Sequence, residues 1–216
     1  MPHQKKTELL LSILEAQPVI PVIRIGDLSR AAPLARALAA GGLPAIEITL
    51  RTPEALDAIR LVIDEVPEAI VGAGTVLAAR QYDKVAGAGA KFVVSPGTTI
   101  ELLEAARASD VPFLPGASTP SEIMSMREEG YSVLKFFPAE QSGGIPYLKA
   151  MSSPLAGTRF CPTGGVSPAN APQYLALPNV VCVGGSWVAP DDLVEKEDWD
   201  AITALARAAS ALGRSA

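Results

Sequence analysis

The sequence has few of the side chains that bind transition metals or form disulfides. Among 216 residues there is one histidine, His3, and two cysteines, Cys161 and Cys182. His3 stands in the amino-terminal tail, and neither cysteine has the spacing of a zinc site. Each cysteine lies in a short apolar run, which predicts a buried thiol in a reducing compartment rather than a disulfide. We therefore expect no metal and no disulfide.

Clusters of positive charge and long apolar runs are also absent. The chain carries 18 Lys and Arg against 23 Asp and Glu, a net charge of -5. No basic cluster stands out, which argues against nucleic acid as a partner. No apolar run is long enough to span a membrane, and Glu8, Ser12 and Glu15 interrupt the first apolar stretch, so we expect neither a membrane partner nor a secretory signal. The expected location is the cytoplasm.

What the sequence does have is a regular alternation of short β-rich apolar runs with longer amphipathic segments. The runs predict eight strands at Val19–Ile23, Ala45–Leu50, Ile70–Ala73, Phe92–Ser95, Phe113–Pro115, Val133–Phe136, Arg159–Pro162 and Val180–Val183. The intervening segments predict helices that include Leu28–Ala40, Pro53–Val66, Thr99–Ala108, Pro120–Glu129 and one near Asp198–Leu212. Apolar residues at helical spacing predict a further helix before the first strand.

This alternation is typical of a parallel sheet covered by helices. Strand starts recur roughly every 20–26 residues, which leaves no room for an inserted domain and favours eight βα units closed into a barrel. We therefore predict a single-domain (β/α)8 TIM barrel over residues 1–216, with residues 1–17 as an N-terminal helical extension. An open doubly wound sheet is the alternative. In the barrel, active sites lie at the carboxyl ends of the strands.

Lys135 stands in the middle of the sixth predicted strand, between Leu134 and Phe136. A lysine in such an apolar strand must either reach the barrel mouth or be held in a partly desolvated interior. Desolvation disfavours the charged ammonium, and the neutral amine can attack a ketone. Lys135 is therefore a candidate Schiff-base lysine. The competing interpretation is a structural lysine paired with a carboxylate.

The second predicted strand has one polar face, formed by Glu47, Thr49 and Arg51. Outward-facing residues meet the apolar helix layer, so the polar face predicts Glu47 inside the barrel and Arg51 at its rim. Glu47 is then a candidate acid/base close to the strand that carries Lys135. A simple buried ion pair between Glu47 and Lys135 is the alternative.

Two glycine pairs mark the ends of the last two predicted strands. Gly164 and Gly165 follow the seventh strand, and Gly184 and Gly185 follow the eighth, with Ser186 next to them. Barrels that bind phosphate hold the anion between these two loops, where glycines let backbone N–H groups approach. We predict a phosphate site there. The segment VGAGTV lacks the third glycine of a dinucleotide fingerprint and is expected to shape the rim of the site.

Taken together, the segments PVIPVI, EITLRT, VGAGTV, VVSPG, KFFPAE, RFCPTGG and VCVGGSW resemble the 2-keto-3-deoxy-6-phosphogluconate aldolase family, including its bifunctional 4-hydroxy-2-oxoglutarate aldolase members. The resemblance runs from about Val19 to the C-terminal helix. It implies a class I aldolase without a cofactor, which forms a lysine imine and releases pyruvate and glyceraldehyde 3-phosphate. It also implies a homotrimer, and 4-hydroxy-2-oxoglutarate is a second candidate substrate.

The resemblance also implies roles for individual residues. Lys135 would form the imine, and Glu47 would move protons, with a bound water. Other positions would hold the carboxylate (Arg51 and Thr75), line the pocket (Pro96 and Phe137) and receive the phosphate (Gly164, Gly165 and Ser186). Arg24 at the end of the first strand and Ala117 depart from the family pattern and carry no assigned role.

Two other functions remain open at this point. A phosphate-binding barrel could be a metal-assisted isomerase or epimerase, in which Lys135 would act only through its charge. It could also be a sugar-phosphate-binding protein without catalysis, because a fold does not by itself imply a reaction.

Overall fold

The computed structural model describes residues 1–213 as alternating strands and helices. The strands are β1 (Val19–Ile23), β2 (Ala45–Thr49), β3 (Ile70–Gly74), β4 (Phe92–Val94), β5 (Phe113–Leu114), β6 (Val133–Phe136), β7 (Arg159–Pro162) and β8 (Val183–Gly185). The helices are α1 (His3–Leu14), α2 (Ala31–Ala40), α3 (Ala55–Glu65), α4 (Ala79–Gly87), α5 (Ile100–Ala108), α6 (Pro120–Glu128), α7 (Gly144–Met151), α8 (Ala171–Leu175), α9 (Asp191–Glu195) and α10 (Trp199–Ser210). A 3-10 turn, Leu28–Arg30, precedes α2.

The strands form a curled parallel sheet of six strands, in the order β5-β4-β3-β2-β1-β8, and a parallel pair of β6 and β7. Isolated parallel bridges connect the two groups. Gly116, after β5, bridges to Lys135 in β6, and Thr163, after β7, bridges to Gly184 in β8. Because all pairings are parallel, the carboxyl ends of the strands meet at one edge, where an α/β fold places its ligands.

The first seven predicted strands are confirmed to within one residue at each end, but the eighth is displaced. We predicted Val180–Val183, whereas β8 begins at Val183 and includes Gly184 and Gly185, which pair with Ile20 and Pro21 of β1. The apolar pattern ends at Val183 because glycine has no side chain to continue it. We predicted that Gly184 and Gly185 follow the eighth strand, and this was wrong, because both residues lie within it.

The predicted helices are all present, with small differences at their ends. The segment predicted as Leu28–Ala40 starts with the 3-10 turn, and its α-helical part begins at Ala31. Four helices were not identified from the sequence, namely α4, α7, α8 and α9. The last two of these have only five residues each, which is too short for a helical apolar period to be recognised.

The helix predicted in residues 1–17 is α1, and it packs across the amino-terminal edge of the sheet. Leu10, Ile13 and Leu14 join an apolar cluster that contains the first residues of β2, β4 and β6. Lys6 fixes the helix further by donating a hydrogen bond of 2.8 Å to the carbonyl oxygen of Ala106 in α5. The amino-terminal edge is thus covered, and the site must lie at the opposite edge.

The expected domain covers residues 1–216, of which 214–216 lie outside the described residues. None of the helices in residues 1–213 combines the length and the apolar character needed to cross a bilayer.

Candidate active site

Lys135 and Glu47 form a buried ion pair inside the curled sheet. The Nζ atom of Lys135 donates to Oε1 of Glu47 at 3.2 Å, and each residue is only 3% exposed. Lys135 is the third residue of β6 and Glu47 the third of β2, two strands that do not pair with each other. Their side chains therefore meet across the interior. A buried pair of this kind gains little net stability after desolvation, which favours a chemical role over a structural one.

Gly74 at the end of β3 makes room for the Glu47 carboxylate. A Cβ atom at position 74 would lie 2.0 Å from Oε1 of Glu47 and 2.6 Å from its Cδ. Gly72 in the same strand similarly accommodates the ring of Phe92, at 2.3 Å from a hypothetical Cβ. The sequence pattern places VGAGTV only at the rim and does not predict the contact between Gly74 and Glu47. Glycine inside a strand was the signal, since it often marks a close approach.

Phe137 and Pro96 lie at the ends of β6 and β4, on the same edge. The Phe137 ring centroid is 5.6 Å from Nζ of Lys135, and the peptide between Phe137 and Pro138 is cis. Pro96 is half-buried, and its carbonyl oxygen would lie 2.4 Å from a Cβ at Gly116. The Phe137 ring thus lies beside the Lys135 amine, while Pro96 is placed at the same edge by the strand it follows.

Arg51 and Thr75 meet at the ends of β2 and β3. The Nε atom of Arg51 donates to Oγ1 of Thr75 at 3.1 Å, and the Arg51 side chain is exposed. Thr75 has φ 56°, a left-handed conformation that is an outlier for a β-branched residue. Such strain persists where the surrounding structure holds a side chain in a functional position. The two predicted carboxylate ligands are therefore brought together.

The two glycine pairs behave differently. Gly164 and Gly165 follow β7 with φ 99° and 78°, in a region that favours glycine. Gly184 and Gly185 are buried in β8 and leave space for neighbouring side chains. A Cβ atom added at Gly184 would lie 2.3 Å from Oγ1 of Thr163, and one added at Gly185 would lie 1.8 Å from the Trp187 ring. Ser186, directly after β8, is exposed.

Thr163 was not singled out from the sequence. It is 7% exposed and stands between β7 and Gly164. Its side chain fills the space that Gly184 leaves open, so the start of the loop after β7 packs directly on β8. A threonine before two glycines is a common turn sequence, and no local pattern distinguishes it.

Arg24 lies outside this set of residues. Its Nη2 atom forms an ion pair of 3.2 Å with Oδ2 of Asp191, and both side chains are more than half exposed. Arg24 is therefore a surface residue in the structure. Nowhere in residues 1–213 do three or more His, Cys, Asp or Glu side chains form a group that could hold a metal ion.

A family model described as "KDPG and KHG aldolase" matches residues 10–205 of the chain. The chain belongs to the KDPG and KHG aldolase family. Among curated relatives, it is 54% identical to the KHG/KDPG aldolase of Escherichia coli, with 92% of this chain and 93% of the relative covered. It is 53% identical to the 2-dehydro-3-deoxy-phosphogluconate aldolase of Pseudoalteromonas atlantica, with 90% of each chain covered.

Solved structures agree with the family membership. The KDPG aldolase of Legionella pneumophila, captured with pyruvate as a covalent carbinolamine, superposes with a TM-score of 0.91 at 48% identity, covering 93% of this chain and 98% of that one. The aldolase of Zymomonas mobilis with 3-phosphoglycerate gives 0.90 at 49% identity, covering 94% and 96%. This member of the KDPG and KHG aldolase family therefore shares the fold of proteins whose solved complexes contain pyruvate or a three-carbon phosphate.

Proposed function

We propose that the chain cleaves 2-keto-3-deoxy-6-phosphogluconate to pyruvate and glyceraldehyde 3-phosphate through an imine on Lys135. The observation that carries this proposal is the buried pair of Lys135 and Glu47, 3.2 Å apart. Aldol cleavage needs an electron sink at the ketone and a base at the neighbouring hydroxyl. An amine and a carboxylate within hydrogen-bond distance of each other can provide both.

The substrate class is supported by the relatives. The curated proteins that are about half identical to this chain are named as aldolases of 2-dehydro-3-deoxy-phosphogluconate, and one is named for KHG as well. We propose the phosphorylated acid as the main substrate and 4-hydroxy-2-oxoglutarate as a second one.

The first half of the reaction makes the imine. Neutral Lys135 attacks the C2 ketone and gives a carbinolamine. Loss of water then leaves a protonated imine, and this cation can accept the electron pair of the bond that breaks. The Phe137 ring, 5.6 Å from Nζ, lines the space beside the forming bond.

The second half breaks the carbon chain. Glu47, directly or through a water, removes the proton of the C4 hydroxyl group, and the C3–C4 bond cleaves to release glyceraldehyde 3-phosphate. The electron pair enters the imine and gives the enamine of pyruvate. Protonation at C3 and hydrolysis of the imine release pyruvate and regenerate the free amine.

The two ends of the substrate are charged, and we assign a separate group of residues to each. Arg51 and Thr75 would hold the carboxylate, since a guanidinium and a hydroxyl are both donors and they lie 3.1 Å apart. The phosphate would bind the loops after β7 and β8, at Gly164, Gly165 and Ser186, with Gly184 and Gly185 behind them.

We further propose that the eight strands close into a complete (β/α)8 barrel. The bridges from Gly116 to Lys135, from Phe160 to Val180 and from Thr163 to Gly184 support closure at the two places where the described sheets are separate. A complete ring explains how side chains of β2 and β6 reach each other through the interior.

The chain is also proposed to be a cytoplasmic homotrimer. Exposed apolar side chains on neighbouring helices support association, namely Ile100 on α5 (72% exposed) and Met124 on α6 (54% exposed). A light-scattering mass of three chains is the expected result. A mass of one chain would contradict the proposal.

The experiment that tests the function compares cleavage by the wild type with cleavage by Lys135→Arg. Arginine keeps the positive charge but does not form the imine. We expect pyruvate release from 2-keto-3-deoxy-6-phosphogluconate to fall to background. Lys149→Arg, at an exposed position on α7, is the matched control and should keep full activity. Retained cleavage by Lys135→Arg would contradict the proposal.

A further inference from the structure

A hydrogen bond between Tyr174 and Glu140 joins the segments that follow β6 and β7. Tyr174 on α8 is 0% exposed, and its hydroxyl donates to Oε1 of Glu140. Glu140 stands five residues after Lys135 on the same connection, whereas α8 follows the loop of Gly164 and Gly165. The bond therefore connects the segment that follows Lys135 with the helix that follows the proposed phosphate loop.

The Glu140 side chain also packs directly on the loop. A Cβ atom at Gly165 would lie 2.6 Å from Cγ of Glu140 and 2.7 Å from its Cβ. On the other side, a Cβ at Gly144 would lie 3.1 Å from Oε1 of Glu140 and 3.2 Å from the Tyr174 hydroxyl oxygen. Glu140 thus lies between two glycines, which have φ 78° (Gly165) and 59° (Gly144), and the Tyr174 hydroxyl lies beside the second of them. The Glu140 side chain is therefore in direct contact with the loop, and Tyr174 acts on the loop through its hydrogen bond to Glu140.

Backbone hydrogen bonds hold the same loop from two directions. The N–H groups of Ala139 and Glu140 donate to the carbonyl oxygens of Thr163 (2.8 Å) and Gly164 (3.1 Å). The side-chain amide of Asn170 donates to the carbonyl oxygen of Gly165 at 3.1 Å. The three loop carbonyls are therefore occupied.

Unlike these carbonyl oxygens, the N–H groups of Gly164 and Gly165 have no backbone hydrogen-bond partner in residues 1–213. Successive N–H groups in such a turn form a concavity that binds anions. The orientation of this concavity relative to Lys135 depends on the segment that carries Glu140.

We infer that the hydrogen-bonded pair of Glu140 and Tyr174 positions the Thr163–Gly165 loop for the phosphoryl end of the substrate. This inference rests on the proposed function and names two positioning residues that do not touch the reacting atoms. Burial, and after it the hydrogen bond from Tyr174 to Glu140, raises the pKa of the Tyr174 hydroxyl above its ordinary value. The hydroxyl therefore remains a donor over the working pH range.

The test measures binding of the phosphate group separately from formation of the imine. Tyr174→Phe and Glu140→Ala each remove the hydrogen bond, and Glu140→Gln keeps an acceptor of the same shape. We expect the first two to raise the KM for the phosphorylated substrate, and the Kd of inorganic phosphate measured by calorimetry, by about tenfold, the effect of one charge-assisted hydrogen bond. Glu140→Gln should stay within about threefold of wild type in both quantities.

A second readout requires no phosphate. Exchange of the pyruvate methyl protons with solvent deuterium, followed by NMR, reports imine and enamine formation at Lys135 alone. It should stay within about twofold of wild type in all three variants. Tyr82→Phe is the matched control, because Tyr82 is also fully buried but donates to the carbonyl oxygen of Val111, away from the loop.

Unchanged phosphate affinity in both Tyr174→Phe and Glu140→Ala would overturn the inference. An equal loss of proton exchange and phosphate affinity would also overturn it, since the pair would then support the fold in general. Failure of the proposed function has a different signature, which is the absence of proton exchange in the wild type. Phosphate calorimetry does not depend on turnover and tests the positioning role in either case.

Discussion

Gly74 and Glu47 are in such close contact that a methyl group at position 74 would overlap the carboxylate, at 2.0 Å from Oε1. The acid that faces Lys135 is therefore positioned by a glycine on the neighbouring strand as well as by its own strand. Three residues on three strands, β2, β3 and β6, must fit together for the Lys135–Glu47 contact of 3.2 Å to form.

Gly74→Ala is expected to displace the Glu47 carboxylate from Lys135 and to lower kcat by about 100-fold, since an error of about 1 Å in a catalytic group has this effect. Overpacking should also reduce the free energy of unfolding by about 1–3 kcal/mol. Steady-state kinetics and urea unfolding measure the two effects. Gly87→Ala in α4, where no atom lies within 4 Å of the added Cβ, is the control. It should keep the wild-type kcat, and its free energy of unfolding should rise by about 0.5–1 kcal/mol because alanine loses less conformational freedom than glycine on folding. Wild-type kcat in Gly74→Ala would show that the close packing has no catalytic importance.

Glu47→Gln should fold normally and turn over slowly. The amide can still accept a hydrogen bond from Lys135, but it cannot remove a proton from the C4 hydroxyl group. We expect kcat to fall by about 10²–10⁴, the usual contribution of a general base. Glu68→Gln, at an exposed position before β3, provides the comparison. Unchanged turnover in Glu47→Gln would remove Glu47 from the acid/base role.

Thr75→Gly tests whether strain at this position serves binding. Glycine relieves the left-handed conformation at φ 56°, which costs about 1–2 kcal/mol for other residues, and loses about 0.5–1 kcal/mol through its flexibility in the unfolded chain. The free energy of unfolding should therefore change little. The KM for 2-keto-3-deoxy-6-phosphogluconate should rise about tenfold, because the variant lacks the hydroxyl group that would bind the carboxylate. Thr75→Ser keeps the hydroxyl and should keep the wild-type KM. Equal KM values for the Gly and Ser variants would exclude a binding role.

Stability should decrease at alkaline pH because of buried tyrosines. Burial, the largest cause, raises the pKa of Tyr131 to about 12, compared with about 10 in an unfolded chain. As the pH rises, the unfolded state loses this proton first, so the free energy of unfolding is fully retained below about pH 10 and is lost progressively towards pH 12. Burial raises the pKa of Tyr82 and Tyr174 in the same direction.

Urea midpoints between pH 9 and 12, the range set by these pKa values, measure this alkaline loss of stability. Tyr131→Phe removes one titrating group and should reduce the slope of stability against pH. An identical slope in wild type and variant would contradict the assignment.

Chelation should have no effect on turnover. In residues 1–213 there is no group of His, Cys, Asp and Glu side chains that could hold a metal, and the proposed electron sink is an imine. Full activity after dialysis against a chelator is the expected result. Activity that is lost on chelation and restored by a divalent cation would support the metal-assisted isomerase or epimerase instead.

The sequence predicts the strands that carry the two members of the buried pair, because one polar side chain in an apolar strand has a recognisable pattern. Lys135 and Glu47 can therefore be singled out as candidates from local sequence alone. Gly74 is not, since its importance depends on the distance to a side chain on another strand. Thr163 and the pair of Glu140 and Tyr174 were missed for the same reason: their contacts join segments far apart in the chain.

The displaced strand β8 illustrates a different limit. Its pairing with β1 continues through Gly184 and Gly185, which lack the side chains on which a periodicity argument depends. Thr163 and Trp187 occupy the space that these glycines leave, and only the folded structure reveals this reason for glycine.

The most direct test of the account is to trap the imine. The wild type is incubated with pyruvate, reduced with borohydride and mapped by peptide mass spectrometry. We predict one added reduced pyruvate per chain, on Lys135 and not on Lys149, and no adduct when Lys135 is replaced by arginine. An adduct on another lysine, or none at all while cleavage continues, would contradict the central claim.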